Sequence, residues 1–499
     1  MRLERMAMSV LQPGFDGTAP PDWLRRALGD GLGGVVLFAR NLSDQMRTAD
    51  LVAQIRAESP DVVVAVDEEG GSVTRLEARD GSSWPGNRAL GVADDVHVTE
   101  HVARRIGRLL GTTGISLDYA PVADVNANPD NPVIGVRSFG ADPGLVARHT
   151  AAWVDGLQGS GVAACAKHFP GHGDTIADSH VELPTVHASP EVLAERDLRP
   201  FRAAIDAGVR AIMVGHLLVP ALDDVPATLS HAVMTGLLRE TLGFGGLVVT
   251  DAIEMRAVAA HWPPEEIAVR ALSVGADAVC AGISSADGSS VYALRDAIVA
   301  AVRQGRLPEE RLAEASRRVG ELVGWHAGQA GARAAAAGEP DDDLGLTAAI
   351  AALHVVGEPR LDRAPLVVEV TARPNQAADS GTPPGVARAL AELLPGTQAV
   401  SVTVGDPLPD LSADRPLVVV VQDAARHGWI REVLGRALET RPDAIVVETG
   451  LPGPPAGAGY VATNGNSRAS ARAAARRLAH RPPTPENTPE TTPEKESPP

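Results

Sequence analysis

The sequence predicts an α/β protein, a TIM (β/α)8 barrel followed by a smaller, layered α/β domain with a parallel sheet. Three observations carry this. Short apolar runs alternate with helical patterns over about the first 325 residues. Nearly every run is apolar on both faces, as expected of parallel strands buried between layers. Eight such runs, each with a helix after it, fall within the usual size of a (β/α)8 barrel. A doubly wound open sheet is the rival. It is more often smaller and opens on a Gly-rich phosphate loop, which this chain lacks.

The strand-like runs are Met8–Gln12, Gly34–Ala39, Val62–Val66, Leu117–Val122, Ala163–His168, Ala211–Gly215, Leu247–Thr250 and Ala276–Ala281. Helical patterns fall between them, among them Trp23–Leu28, His101–Leu110, Leu145–Leu157, Val192–Ala207 and Glu266–Val274. This gives a barrel over residues 1–325. Residues 326–342 are Ala/Gly-rich without apolar periodicity and read as a linker. Beyond it, Leu366–Val370, Val400–Val404, Leu417–Val421 and Ile445–Val447 are strand-like again. They alternate with helical patterns at Val386–Leu394 and Trp429–Leu438, which predicts an α/β domain over 343–480. Its best polar groups at strand ends are Asp423 and Glu448. Residues 481–499 hold seven prolines, four acids and no large apolar residue, a composition expected to be disordered.

Composition narrows the function. Of the 499 residues, 44% are hydrophobic and 22% charged, enough to bury a core. The formal charge of −18 argues against a nucleic-acid or anionic-membrane partner. Two cysteines, Cys165 and Cys280, make no disulfide framework. No apolar run of signal-peptide length opens the chain, and no apolar stretch is long enough to span a bilayer. A soluble, cytoplasmic monomer is expected. Only two of the 45 basic residues are lysines, Lys167 and Lys495.

Polar residues cluster just past the strand-like runs: Arg40 and Asn41, Asp67 to Glu69, Asp124, Lys167 and His168, His216, and Asp251. In a barrel these ends converge on the face where active sites are built. The densest segment, Lys167 to His180, holds three histidines, two aspartates and a lysine within 14 residues. Pro170, Gly171 and Gly173 make it a loop. It can be a hydrogen-bonded surface loop, a metal site using His168, His172, Asp174 and His180, or an acid/base device. In the last case the Asp178 carboxylate orients the His180 imidazole and raises its pKa.

Lys167 ends a buried strand in a chain that otherwise uses arginine, so a compact ammonium is wanted there or was retained by chance. Asp251 ends a second buried strand. It can be a nucleophile toward an anomeric carbon or a helix N-cap. Asp67 to Gly71, with Arg75 following, offers acceptors and a bidentate donor for vicinal hydroxyls.

Seven segments in this order resemble family 3 glycoside hydrolases, in particular the bacterial β-N-acetylglucosaminidases of the NagZ type. They are GVVLFARN (34–41), DEEGGSVTR (67–75), DYAPVADVN (118–126), NPVIGVRSFG (131–140), KHFPGHGDTIADSH (167–180), PATLS (226–230) and VVTDAIEM (248–255). The resemblance implies that Asp251 is the nucleophile of a retaining mechanism. It implies that His180, paired with Asp178, is the general acid and then the general base. Asp67, Arg75, Arg137, Lys167 and His168 fall where the family holds the sugar. Ser72 and Ala252 depart from the pattern, standing where many members have Arg and a second Asp.

The implied activity is a retaining exo-β-N-acetylglucosaminidase that needs no metal or organic cofactor. Its substrate would be a GlcNAc-capped muropeptide or chitooligosaccharide. A neutral imidazole base adds no second negative charge opposite Asp251 and so eases attack by phosphate, which keeps a β-N-acetylglucosaminide phosphorylase open. A non-catalytic sugar-binding protein is the other alternative.

Overall fold

The computed structural model describes residues 2–179, 182–339, 343–371, 385–411 and 414–479. Its N-terminal half is built on eight short parallel strands: β1 Leu11–Pro13, β2 Gly34–Leu37, β3 Val63–Val66, β4 Leu117–Asp118, β5 Ala163–Phe169, β6 Ala211–Val214, β7 Leu247–Thr250 and β8 Val279–Ala281. β2 to β7 form one sheet in chain order, and β1 pairs with β8. Single parallel bridges, Gly14 to Val36 and Val249 to Ala278, join the pair to the two edges of that sheet. The result is a curled, all-parallel sheet with helices between its strands.

Each strand buries both faces, and the alternation is visible in the packing. Val36, Val63, Ala65, Leu117, Ala211, Met213 and Val249 pack together on one side. Val35, Val64, Val66, Ile212, Val214 and Val248 pack with the helices on the other. A period of two along each strand sends neighbours to opposite faces, so the runs must be apolar throughout. The helix Val96–Thr113 shows the matching pattern: Val102, Ile106 and Leu110 recur every four residues and are buried. It starts where the Asp95 side chain accepts from the His97 and Val98 amides and stops at left-handed Gly114.

Several boundaries differ from the sequence expectation. Met8 and Ser9 belong to a helix, Arg2–Ser9, and the first strand begins only at Leu11. The helical period buries Ala7 and Met8 side by side, and an apolar run this short does not distinguish the two structures. β4 is only two residues long, although backbone bonds from Tyr119 to Val66 and from Cys165 to Ala120 continue beyond it. The segment 326–342 is helical over most of its described length, in Glu309–Gly328 and Ala330–Ala337. Alanine has the highest helix propensity, and a run lacking apolar periodicity can still be a helix.

The C-terminal half is a six-stranded sheet in the order β11-β10-β12-β13-β14-β9. Its strands are β9 His354–Val356, β10 Leu366–Val370, β11 Gln398–Val402, β12 Leu417–Val421, β13 Ile445–Glu448 and β14 Gly459–Ala462. All pairings are parallel except that of β9, the edge strand. Apolar clusters cover both faces of this sheet. The two halves touch closely. A Cβ on Gly345 would lie 2.1 Å from the Ser83 carbonyl, and Arg468 reaches Glu77 at 2.8 Å. Among the described residues no helix is long and apolar enough to cross a membrane.

Candidate active site

Because the strands of the N-terminal sheet are parallel, their C-terminal ends share one rim. The rim carries Asp67, Glu68 and Glu69 after β3, Lys167 and His168 in β5, His216 after β6 and Asp251 after β7. Asp124 and Arg137 come from the long connection that follows β4. A cavity of about 470 Å³ opens among them. Asp67, Arg75, Arg137, Lys167, His168 and Asp251 line it, and the structure therefore brings these six expected residues together.

The floor is a buried charge network. Lys167 Nζ lies 2.6 Å from Asp67 Oδ1 and 2.7 Å from Glu69 Oε1. Arg137 closes on the same Glu69 carboxylate with Nε at 3.0 Å and Nη2 at 2.7 Å. Burial alone would raise the Glu69 pKa. The Arg137 guanidinium and the Lys167 ammonium outweigh it and hold the carboxyl well below its usual range. Burial likewise disfavours the Lys167 charge, but Asp67 and Glu69 outweigh it and raise the amine. Every charge here faces an opposite one, which buried ions require.

The turn after β3 explains how three successive acids serve different partners. Gly70 and Gly71 both have left-handed φ, +71° and +64°, and a Cβ on Gly71 would stand 2.8 Å from Gly86 Cα. Glycine alone fits this close approach without strain. The chain doubles back so that Arg75 Nη2 comes within 3.9 Å of Asp67 Oδ2. Glu68 points away from the cavity, where its carboxylate accepts from the Arg75 and Leu76 amides at 2.8 and 3.0 Å. Burial pushes its pKa up to about 7.

The loop after β5 is held just as closely. Asp124 accepts from His168 Nδ1 at 2.7 Å and from the His172 amide, also at 2.7 Å. The His172 ring meets Thr175 Oγ1 at 2.9 Å and Ser179 Oγ at 3.2 Å. Burial first, then the neighbouring His168, pushes its pKa down to about 4, so it is neutral at pH 7. Gly173 permits the fold of the loop, since a Cβ there would lie 1.8 Å from the Val125 carbonyl. Asp178 belongs to the same loop, and its carbonyl accepts from the Glu182 amide. His180 lies outside the described residues. Of the metal alternative, Asp174 is paired with Arg196 at 2.8 Å, while His168 and His172 have the partners just given.

The turn carrying Asp251 is pinned on two sides. Its amide donates to the Val214 carbonyl, and Oδ1 accepts from the Ala252 amide at 2.8 Å. His216, braced by Thr228 at 2.8 Å, meets the Ala252 carbonyl at 3.0 Å. The Ala257 amide donates to the Ser179 carbonyl at 3.2 Å. That bond ties the histidine-rich loop to the short helix, Arg256–Ala259, that follows the Asp251 turn. The site thus combines a half-buried carboxylate, a cationic and anionic floor, and an adjoining loop with acid/base groups, which suits a polyhydroxylated substrate.

Three contributors were given no site role from the sequence. Glu69 is the common counter-ion of Lys167 and Arg137, and its place in the acidic run was its only signal. Asp124 orients His168 and was visible as a polar residue past a strand. Glu254 lines the cavity with one buried carboxyl oxygen, Oε2, that no described residue hydrogen-bonds. Burial and then Asp251 push its pKa up to about 7. Nothing in the sequence marks it.

Comparison with known proteins adds a family. The pattern of the glycosyl hydrolase family 3 N-terminal domain matches residues 22–322. "Beta-hexosaminidase A" of Pseudoalteromonas piscicida is 32% identical over 332 residues, 61% of this chain and 55% of that protein. The chain therefore spans about half the length of that relative. A "Beta-hexosaminidase" of Nitrosomonas eutropha is 38% identical over 266 residues, 51% of this chain and 76% of the relative. A solved family 3 β-N-acetylglucosaminidase from Paenibacillus sp. str. FPU-7 superposes with a TM-score of 0.84 and 34% identity over 96% of both chains. With the family pattern matching more than half of its length, this chain belongs to glycosyl hydrolase family 3.

Proposed function

We propose that the protein is a retaining exo-β-N-acetylglucosaminidase that removes terminal β-linked GlcNAc from muropeptides or chitooligosaccharides. The observation that carries this reading is the Asp251 carboxylate at a cavity floored by Lys167, Asp67, Glu69 and Arg137, with Ser179 of the histidine-rich loop bonded to Ala257. Relatives named β-hexosaminidase and a solved β-N-acetylglucosaminidase support it. The fold reading that goes with it is a closed (β/α)8 barrel over 1–325 and a separate α/β domain over 343–480. The two bridges beside the β1–β8 pair support closure.

In the first step an Asp251 oxygen attacks the anomeric carbon. The glycosidic oxygen leaves with the proton of His180, and a glycosyl ester on Asp251 remains. Asp178 holds the His180 ring and stabilises its charged form. In the second step neutral His180 takes a proton from water, whose oxygen displaces Asp251 from the same carbon. Two inversions give net retention. Asp67, Arg75, Arg137 and Lys167 grip sugar hydroxyls through the floor network, and His168 binds in the same space.

Product analysis of 4-nitrophenyl β-GlcNAc cleavage, with and without phosphate, tests the proposal. Free β-GlcNAc formed at a phosphate-independent rate is the expected result. A GlcNAc 1-phosphate product would reassign the second step to phosphorolysis, and no cleavage at all would leave a binding protein.

A further inference from the structure

One contact between the C-terminal half and the loops of the site runs through a guanidinium. Arg426 follows β12, and its Nη1 donates to the Asn131 carbonyl at 2.5 Å while Nη2 reaches Asp423 Oδ2 at 3.2 Å. Asn131 is fully buried and belongs to the connection that carries Arg137.

Asn131 is where two loops of the site meet. Its Oδ1 accepts from the Val133 and Ile134 amides at 2.9 and 2.7 Å, shaping the turn before Arg137. Arg137 Nη1 in turn donates to the Val133 carbonyl at 3.1 Å. Asn131 Nδ2 donates to the His172 carbonyl at 2.8 Å and to Thr175 Oγ1 at 3.2 Å. The loop from His172 to Ser179 leads directly to the expected acid/base residue. A displacement of Asn131 therefore reaches a sugar-gripping arginine and the acid/base loop together.

The arginine is itself held in place. Glu448, buried at the end of β13, accepts from the Asp423 and Gly450 amides through Oε1 at 2.8 and 2.7 Å and from the Ala424 amide through Oε2 at 3.1 Å. Asp423 adopts a left-handed φ of +53° and accepts from the Leu451 amide at 2.8 Å. Asp423 then aims Arg426 across the junction. We infer that Arg426 is a positioning residue, through which the C-terminal half fixes the Arg137 turn and the 172–179 loop of the site at once.

The kinetic part of this inference rests on the cavity being the glycoside site, so the test has one arm that does not. In Arg426→Ala, amides of residues 131–137 and 172–179 should exchange hydrogen faster than in wild type, with the strands unaffected. On 4-nitrophenyl β-GlcNAc, KM should rise about tenfold and kcat should fall less, since misplacing groups that hold the substrate is costly. Arg426→Lys, whose ammonium can still donate to the Asn131 carbonyl, should recover most of that loss and serves if the alanine variant does not fold. In Arg137→Ala the further Arg426→Ala change should add little to KM. Unchanged exchange in both loops, or a KM effect fully additive with Arg137→Ala, would overturn the inference. A wild type inert on this glycoside counts against the proposed activity alone, because the exchange arm still decides the role of Arg426.

Discussion

Lys167 Nζ stands 2.6 Å from Asp67 Oδ1 and so joins the ends of β5 and β3 across the shorter β4 between them. The ammonium also serves Glu69, and its side chain is only 2% exposed. Three rotatable donors on a small head suit two carboxylates that approach from different directions. A planar guanidinium does not fit the same space.

Lys167→Arg should therefore be harmful although the charge is kept. A loss of at least ~1.4 kcal/mol in transition-state binding, about tenfold in kcat/KM, is expected. Steady-state kinetics on a β-GlcNAc glycoside check it, and unchanged values would make the lone lysine of the described chain an accident of composition.

Glu69→Gln should destabilise the fold, because it leaves Lys167 and Arg137 buried together without their shared counter-charge. A cost of about 3–5 kcal/mol is typical when one partner of a buried pair is removed. The pH dependence has a definite sign. The Glu69 pKa is lower in the folded state, so its contribution is present above its unfolded pKa of about 4.3 and fades as pH falls through the folded value. The Tm deficit of Glu69→Gln should be full at pH 7 and should narrow below about pH 4. A deficit independent of pH would point to packing rather than charge.

Asp251→Asn should abolish turnover while the folded structure persists, since the amide keeps the shape but loses the nucleophilic electron pair. Far-UV circular dichroism reads the first half of this and glycoside turnover the second. Azide should restore cleavage in Asp251→Gly and give an α-azide product.

The proposed acid/base pair should leave a leaving-group signature. A good leaving group departs without a proton, so His180→Ala should keep far more activity on a dinitrophenyl glycoside than on a natural oligosaccharide. Asp178→Ala should show a milder version. Because it lowers the pKa of an acid that must start protonated, the basic limb of kcat/KM should move to lower pH. Equal losses on both leaving groups would give His180 a positioning role and send the search for the donor to Glu254, whose carboxyl lines the cavity with its pKa raised to about 7.

How much of this the sequence revealed follows from the physics of each part. Strands such as Leu247–Thr250 were legible because burial on both faces demands an unbroken apolar run. The edge strand β9, His354–Val356, was not, being three residues long and largely solvent-facing. Lys167, Asp67 and Asp251 stood out as charges at the ends of buried runs. The roles of Glu69 and Asn131 did not, because each depends on partners that are distant in sequence, Arg137 and Lys167 for one and Arg426 for the other. Glu254 was hidden for a related reason. What distinguishes it is one oxygen that no described residue hydrogen-bonds, a property of its surroundings and not of its neighbours in the chain.

The pairing of Leu11 with Val279 has a consequence for how the protein is made. Contacts between residues so remote in the chain form late, because a long loop must be closed before they yield anything. Until Val279–Ala281 is delivered, β1 and β7 present open hydrogen-bonding edges, which in a growing chain invite pairing with other molecules. The last strand also sets the seat of Asp251. The Cys280 amide donates to Thr250 Oγ1 at 3.0 Å and the Thr250 amide to the Ala278 carbonyl at 3.1 Å, one residue before Asp251. During synthesis or refolding, the seat of Asp251 is therefore completed only with the docking of β8, however early the six strands β2 to β7 have assembled.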